Sequence, residues 1–64
     1  MVAQWEFYAL ASMHVTRFGD DAEAEAARRL HRAEELHDSG QAVVWTEVAR
    51  LIPKIRADRH EGEE

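Results

Sequence analysis

Apolar residues recur along this chain at the three- and four-residue spacing of amphipathic α-helices, and they do so in three segments. The first segment covers about residues 3–18, and its apolar residues spread around more than one face of a helix. This pattern is typical of a helix that is central in the fold or that contacts a partner as well as its own core. The second, about residues 21–36, has a narrow stripe made mostly of alanine. The third, about residues 39–57, places its large apolar side chains on one stripe, which consists of Trp45, Val48, Ile52 and Ile55. This pattern predicts an all-α fold, a small three-helix bundle.

Two short polar segments separate the predicted helices. Gly19 can end the first helix at a positive φ, and Asp20 can then cap the second helix with its carboxylate. Glu23 stands at the capping-box spacing from Asp20, and Asp38 and Gln41 repeat that spacing before the third helix. Because the second connection is short, we expect the second and third helices to be antiparallel neighbours.

The third segment contains a proline and is followed by a charged end. Pro53 lacks the backbone donor that would bond to the carbonyl of Ala49, so we expect the helix to be kinked or broken near Pro53. Residues 58–64 include no apolar side chain and four acids, and they are predicted to form a disordered acidic tail. Residues 1–57 then form a single helical domain.

Trp45 is the largest side chain on the third stripe. We expect it to be deeply buried against the second helix, with an acceptor for its indole N–H, and to be the most costly side chain to remove.

The order of these features resembles a known family. The aromatic-rich first helix, the junction Gly19-Asp20-Asp21-Ala22, the turn at Asp38 and the run Trp45-Thr46-Glu47-Val48-Ala49 are similar to those of short bacterial proteins in a domain-of-unknown-function family. The resemblance covers about residues 5–55. It implies three helices and a bacterial source, and it brings no activity and no site residue with it.

Composition narrows the classes of function. The net charge of −5 argues against a general nucleic-acid binder. The absence of cysteine excludes disulfides, and the sequence has neither a basic segment before an apolar run nor an apolar run long enough to span a membrane. We therefore expect a cytoplasmic protein with no membrane contact.

Histidine is the residue type best suited to carry chemistry here. His14 is predicted to be a partly buried imidazole on the apolar side of the first helix, hydrogen-bonded to a backbone or acidic group. His31 and Glu35 stand four residues apart and could share a metal ion, but a structural zinc site needs four ligands. Asp20 and Asp21 are explained by their place at a helix start. The sequence therefore predicts no catalytic residue, no metal site and no cofactor.

The first helix has more large apolar side chains than so small a core requires. The predicted partner interface consists of Trp5, Phe7, Tyr8, Met13 and Phe18. The leading prediction is a small non-enzymatic protein-interaction module that self-associates or docks on a larger protein. An accessory subunit of a bacterial enzyme complex is an alternative that the sequence does not separate from it.

A helical nucleic-acid-linked regulator is the third prediction. Arg50, Lys54, Arg56 and Arg59 cluster late in the third helix, and two helices joined by a short turn resemble a helix-turn-helix in outline. Overall acidity opposes this function, and basic residues near a helix C-terminus also complement the helix dipole.

Overall fold

A computed structural model describes residues 3–62 of the chain, with side chains described through residue 59, and almost all of this range is helical. Helix α1 spans Gln4–Phe18, α2 spans Ala22–Glu35 and α3 spans Ser39–Gly62. A 3₁₀ turn, Gly19–Asp21, joins α1 directly to α2. The predicted all-α fold is confirmed.

Helix α3 is the central element, because it packs against both α1 and α2, which touch each other far less. The guanidinium of Arg56, late in α3, donates to the carboxylate of Glu23, early in α2, at 3.0 Å. Since α3 also begins shortly after α2 ends, the two helices are antiparallel, as the short connection predicted. Helix α1 is therefore a flanking helix, and the side that faces away from α3 has no neighbour among the described residues.

The core is thin and centred on α3. Ile52, Ile55 and Val48 are the largest fully buried side chains. Ala22 and Ala26 of α2 are also fully buried, and their small side chains allow α2 to approach α3 closely. The shortest extent of the molecule is 15 Å, about the thickness of two packed helices measured at their Cα atoms. A helix face that is turned away from this core is therefore at the surface.

The first junction follows the prediction at its glycine. Gly19 has a φ of +54°, and its N–H donates to the carbonyl oxygen of Val15. This positive φ, with a ψ of −123°, ends α1 at Gly19, and glycine adopts such backbone angles without the steric cost that a Cβ atom brings.

The predicted capping box of Asp20 and Glu23 is wrong. The residue before α2 is Asp21, which has helical backbone angles and forms no side-chain cap hydrogen bond. A side-chain cap requires an extended backbone, whereas the 3₁₀ turn keeps the chain helical and bonds the Ala22 N–H to the Gly19 carbonyl. The Asp20 carboxylate accepts a hydrogen bond from Arg56 instead.

The second junction confirms the predicted cap. The Gln41 N–H donates to Asp38 Oδ1 at 3.1 Å. Before this cap, His37 adopts a left-handed φ of +55°. The N–H of His37 bonds to Glu34 and the N–H of Asp38 bonds to Ala33, at 3.1 and 2.9 Å, which is the hydrogen-bond pattern of a Schellman motif.

Helix α3 is continuous through Pro53, so the predicted break is wrong, and the alternative of a kink stays a prediction. Pro53 is exposed and removes only one backbone hydrogen bond. Ile52 and Ile55, on either side of it, are both buried in the same core and hold the two halves of the helix together.

The predicted tail also needs correction. Residues 58–62 continue α3 rather than forming a disordered segment, and Glu63 and Glu64 lie outside the described residues. The Arg59 guanidinium donates to Ser12 Oγ at 2.8 Å and to the Ser12 carbonyl oxygen at 3.3 Å. This contact with α1 stabilises the end of α3, and no local sequence pattern indicates it.

Candidate interaction surface

Helix α1 exposes apolar side chains on the side opposite its core contacts. Trp5 is 69% exposed, Met13 is 68% exposed, and Tyr8 and Ala9 are also exposed. Residues four apart on an α-helix differ in direction by only about 40°, so Trp5, Ala9 and Met13 form one stripe, with Tyr8 beside it. We call these four residues the outer face of α1.

The structure divides the five predicted interface residues into two groups. Trp5, Tyr8 and Met13 belong to the outer face. Phe7 and Phe18 are half-buried and pack against the core, so the structure does not place them on that face. The two phenylalanines are eleven residues apart, about three helical turns, which puts both on the core side of α1.

Two charged side chains of opposite sign lie along one edge of the outer face. Glu6 and Arg17 are the only Asp, Glu, Lys or Arg residues in α1, and both are exposed. Their separation of eleven residues corresponds to about 16 Å along the helix and about 20° around it. Within the described part of the chain, neither forms a salt bridge. The edge of the outer face thus has an acid near one end and a base near the other, and the two charges cancel.

An open cavity of about 500 Å³ lies beside the outer face, where α1 meets the other two helices. Met13, Phe18 and Trp45 contribute to its apolar wall, and Arg17 and Arg29 also line it. The Arg29 guanidinium lies 5.1 Å from the centre of the Trp45 ring and 5.9 Å from that of Phe18. Both distances are in the range of cation–π contacts.

His14 lies beneath this cavity and is 5% exposed. Its ring centre is 4.5 Å from that of Phe18 and 5.4 Å from that of Trp45. The predicted burial is confirmed, but Nε2 has no hydrogen-bond partner among the described residues, so the predicted polar contact is wrong for this atom. Burial lowers the pKa of His14, and the positive charge of Arg29 lowers it further, against an opposing effect of Glu25. The neutral imidazole is therefore favoured.

Trp45 is only half-buried, which corrects the expectation that it is deeply buried. It lies at the edge of the core, between the His14 ring and the Arg29 guanidinium. Its indole Nε1–H donates to Gln41 Oε1 at 3.2 Å, which supplies the expected acceptor. The fully buried part of the α3 stripe begins one turn later, at Val48.

Three arginines of the predicted basic cluster bond within the chain. Arg50 pairs with Glu47 at 2.9 Å, and this hydrogen bond lowers the pKa of Glu47. Arg56 and Arg59 bond to groups at the α1–α2 junction and on α1. These contacts reduce the positive charge that the cluster can offer to phosphates.

The predicted pair of His31 and Glu35 lies on α2. His31 Nε2 lies 3.7 Å from Glu35 Oε2 on α2, and no group of three or more metal-binding side chains occurs in the described range. Across that same range, none of the helices combines the length and the apolar composition that crossing a membrane requires.

Comparisons with protein-family models, with curated proteins and with solved structures gave no match. The resemblance to bacterial proteins of a domain-of-unknown-function family stays a prediction.

Proposed function

We propose that this protein is a small non-enzymatic interaction module, a three-helix bundle in which α2 and α3 support α1 and the outer face of α1 binds a protein. The exposure of Trp5 and Met13 on one stripe carries this proposal. Aromatic residues and methionine are enriched in protein interfaces. Burying a side chain of this size contributes roughly 1.5–3 kcal/mol, so the stripe is a strong source of binding energy.

Self-association is the simplest form of this function. A chain of 64 residues without cysteine has few ways to gain stability beyond its core, and a partner subunit is one of them. The core of this protein is also rich in alanine on the α2 side, which limits the apolar area that folding alone buries. Covering the outer face of α1 would add to that area.

Sedimentation velocity over a range of concentrations tests the proposal with two pairs of variants. Trp5→Ala and Met13→Ala each remove one large group from the outer face. Leu36→Ala and Val43→Ala are matched controls, because Leu36 and Val43 are 65% and 59% exposed but belong to the end of α2 and to α3. Circular dichroism of all four variants checks that each is folded.

We expect the wild-type chain to form a larger species as its concentration rises. Each outer-face substitution should weaken this association about tenfold or more, which corresponds to about 1.4 kcal/mol, and the controls should behave as wild type. A wild-type chain that stays monomeric at about 1 mM would contradict self-association, and outer-face variants that associate as well as the controls would contradict the role of the outer face.

A further inference from the structure

We infer that the partner of the outer face is a second copy of this chain, docked antiparallel along α1 with Glu6 of each copy beside Arg17 of the other. This inference rests on the proposed function and adds the identity of the partner and the register of the two helices. It is carried by the placement of charges on α1.

Glu6 and Arg17 are the two charges of α1, and they lie on the same edge of the outer face. In a twofold antiparallel pair, a residue near the start of one helix meets a residue near the end of its partner, and the same edges of the two helices coincide. We place the twofold axis at the level of Ala11, the middle of α1. Glu6 is then five residues before the axis and Arg17 is six residues after it. The mismatch is one residue, about 1.5 Å along the helix, which these long side chains can span.

The same register also pairs two of the three residues of the apolar stripe. Ala9 and Met13 are each two residues from the level of Ala11, on opposite sides of it. The long side chain of Met13 in one copy therefore lies over the small side chain of Ala9 in the other, and symmetry repeats the contact. A large group against a small one permits close packing of two helices.

The rest of the chain favours this face over others. Each copy has a net charge of −5, so two copies repel each other overall. The outer face of α1 and its edge have no net charge, because Glu6 and Arg17 cancel. A parallel twofold pair would instead place the two glutamates at one level and the two arginines at another, on opposite edges, so that no glutamate has an arginine beside it.

A charge-exchange experiment tests the register. The variants are Glu6→Arg, Arg17→Glu and the double variant with both substitutions, and the dissociation constant of self-association is measured by sedimentation equilibrium. Glu34→Arg is the matched control, because Glu34 is an exposed glutamate on α2 and its substitution changes the net charge by the same amount as Glu6→Arg. The double variant keeps the net charge of the wild type.

We expect Glu6→Arg alone and Arg17→Glu alone each to weaken self-association roughly tenfold, because the dimer then contains two like-charged pairs. The double variant should recover an affinity close to that of the wild type. Recovery cannot arise within one copy, since the two side chains begin about 16 Å apart on the same helix. Glu34→Arg should leave the affinity unchanged or raise it slightly by reducing overall repulsion.

The other outcomes separate this inference from the proposed function. If the chain self-associates through the outer face but the double variant is as weak as the single ones, the antiparallel register is wrong and the interaction module stands. Single substitutions that have no more effect than Glu34→Arg would also overturn the register. A chain that stays monomeric would overturn this inference together with self-association.

Discussion

Arg56 donates from Nη2 to Asp20 Oδ1 at 3.1 Å, which joins the second half of α3 to the junction between α1 and α2. Its other terminal nitrogen, Nη1, bonds to Glu23 Oε1 at 3.0 Å. One guanidinium thus connects α3 to the 3₁₀ turn and to the first turn of α2. These contacts add a polar connection between α3 and the segment that joins α1 to α2.

Replacing Arg56 with alanine should therefore destabilise the fold. We expect a loss of at most about 1 kcal/mol in the free energy of unfolding, because Arg56 and Glu23 are partly exposed to solvent and Asp20 is fully exposed. Arg28→Ala is the control, since Arg28 pairs with Glu25 inside α2 and does not connect helices. Urea unfolding should show a smaller loss for Arg28→Ala, and equal losses for the two variants would contradict this role of Arg56.

His37 is the second position where the structure predicts a measurable effect. A left-handed φ of +55° is unfavourable for any residue with a Cβ atom, and glycine adopts it freely. We expect His37→Gly to raise the free energy of unfolding by roughly 0.5–1 kcal/mol. His31→Gly, an exposed site inside α2, should lower it by about the same amount. Thermal unfolding of the two variants would contradict this account if both were destabilised.

The buried His14 should make stability depend on pH. Its pKa is lower in the folded protein than the value of about 6.5 expected for the unfolded chain, so the unfolded chain binds a proton first as the pH falls. The free energy of unfolding should therefore fall as the pH decreases through 6.5 towards the lowered pKa of the folded state. The charged groups that act on His14 are Arg29 and Glu25, and burial has the largest effect.

His14→Phe tests this dependence, because phenylalanine keeps the ring contacts and has no titrating nitrogen. We expect the variant to gain about 1 kcal/mol near neutral pH, since it removes an unpaired buried nitrogen. Its advantage over the wild type should increase between about pH 7 and pH 5.5. The other three histidines are common to both proteins, so the difference between the two isolates His14. An advantage that is constant with pH would contradict the assignment.

The core should depend more on Ile52 than on Trp45. Ile52 is completely buried, whereas Trp45 is half-buried at the edge of a cavity. We expect Ile52→Ala to cost about 2–5 kcal/mol and Trp45→Ala to cost less, although tryptophan is the larger side chain. Chemical unfolding of both variants gives the order directly. If Trp45→Ala lowered the free energy of unfolding more than Ile52→Ala, this order would be wrong and Trp45 would be the most costly side chain to remove, as the sequence predicts.

Local patterns in the sequence predicted the parts of the fold that depend on neighbouring residues. Gly19, the Asp38 cap and the apolar stripe of α3 all follow from spacings of a few residues. The contacts of Arg56 with Asp20 and of Arg59 with Ser12 join residues 36 and 47 positions apart, and they depend on how the helices cross. Helix α3 extends beyond residue 57, its predicted end, and the contact of Arg59 lies in this additional part.

The candidate surface was predicted in part. All five large apolar residues of the predicted interface belong to one helix, so their number indicated a surplus but not which of them face outward. Phe7 and Phe18 share the core side with Ala11, and this separation required the position of α3. The cavity and the unpaired His14 nitrogen arise where three helices meet, and no local pattern encodes them.

The fluorescence of Trp5 tests the central claim, that the outer face of α1 is covered by another protein molecule. A Trp45→Phe chain retains Trp5 as its only tryptophan, and its emission can be followed as the protein is diluted. We expect emission at shorter wavelength in concentrated solution and a shift to longer wavelength on dilution, with the same midpoint as dissociation measured by sedimentation. An emission maximum that stays at the long-wavelength position at every concentration would show that Trp5 remains in water and would contradict the claim.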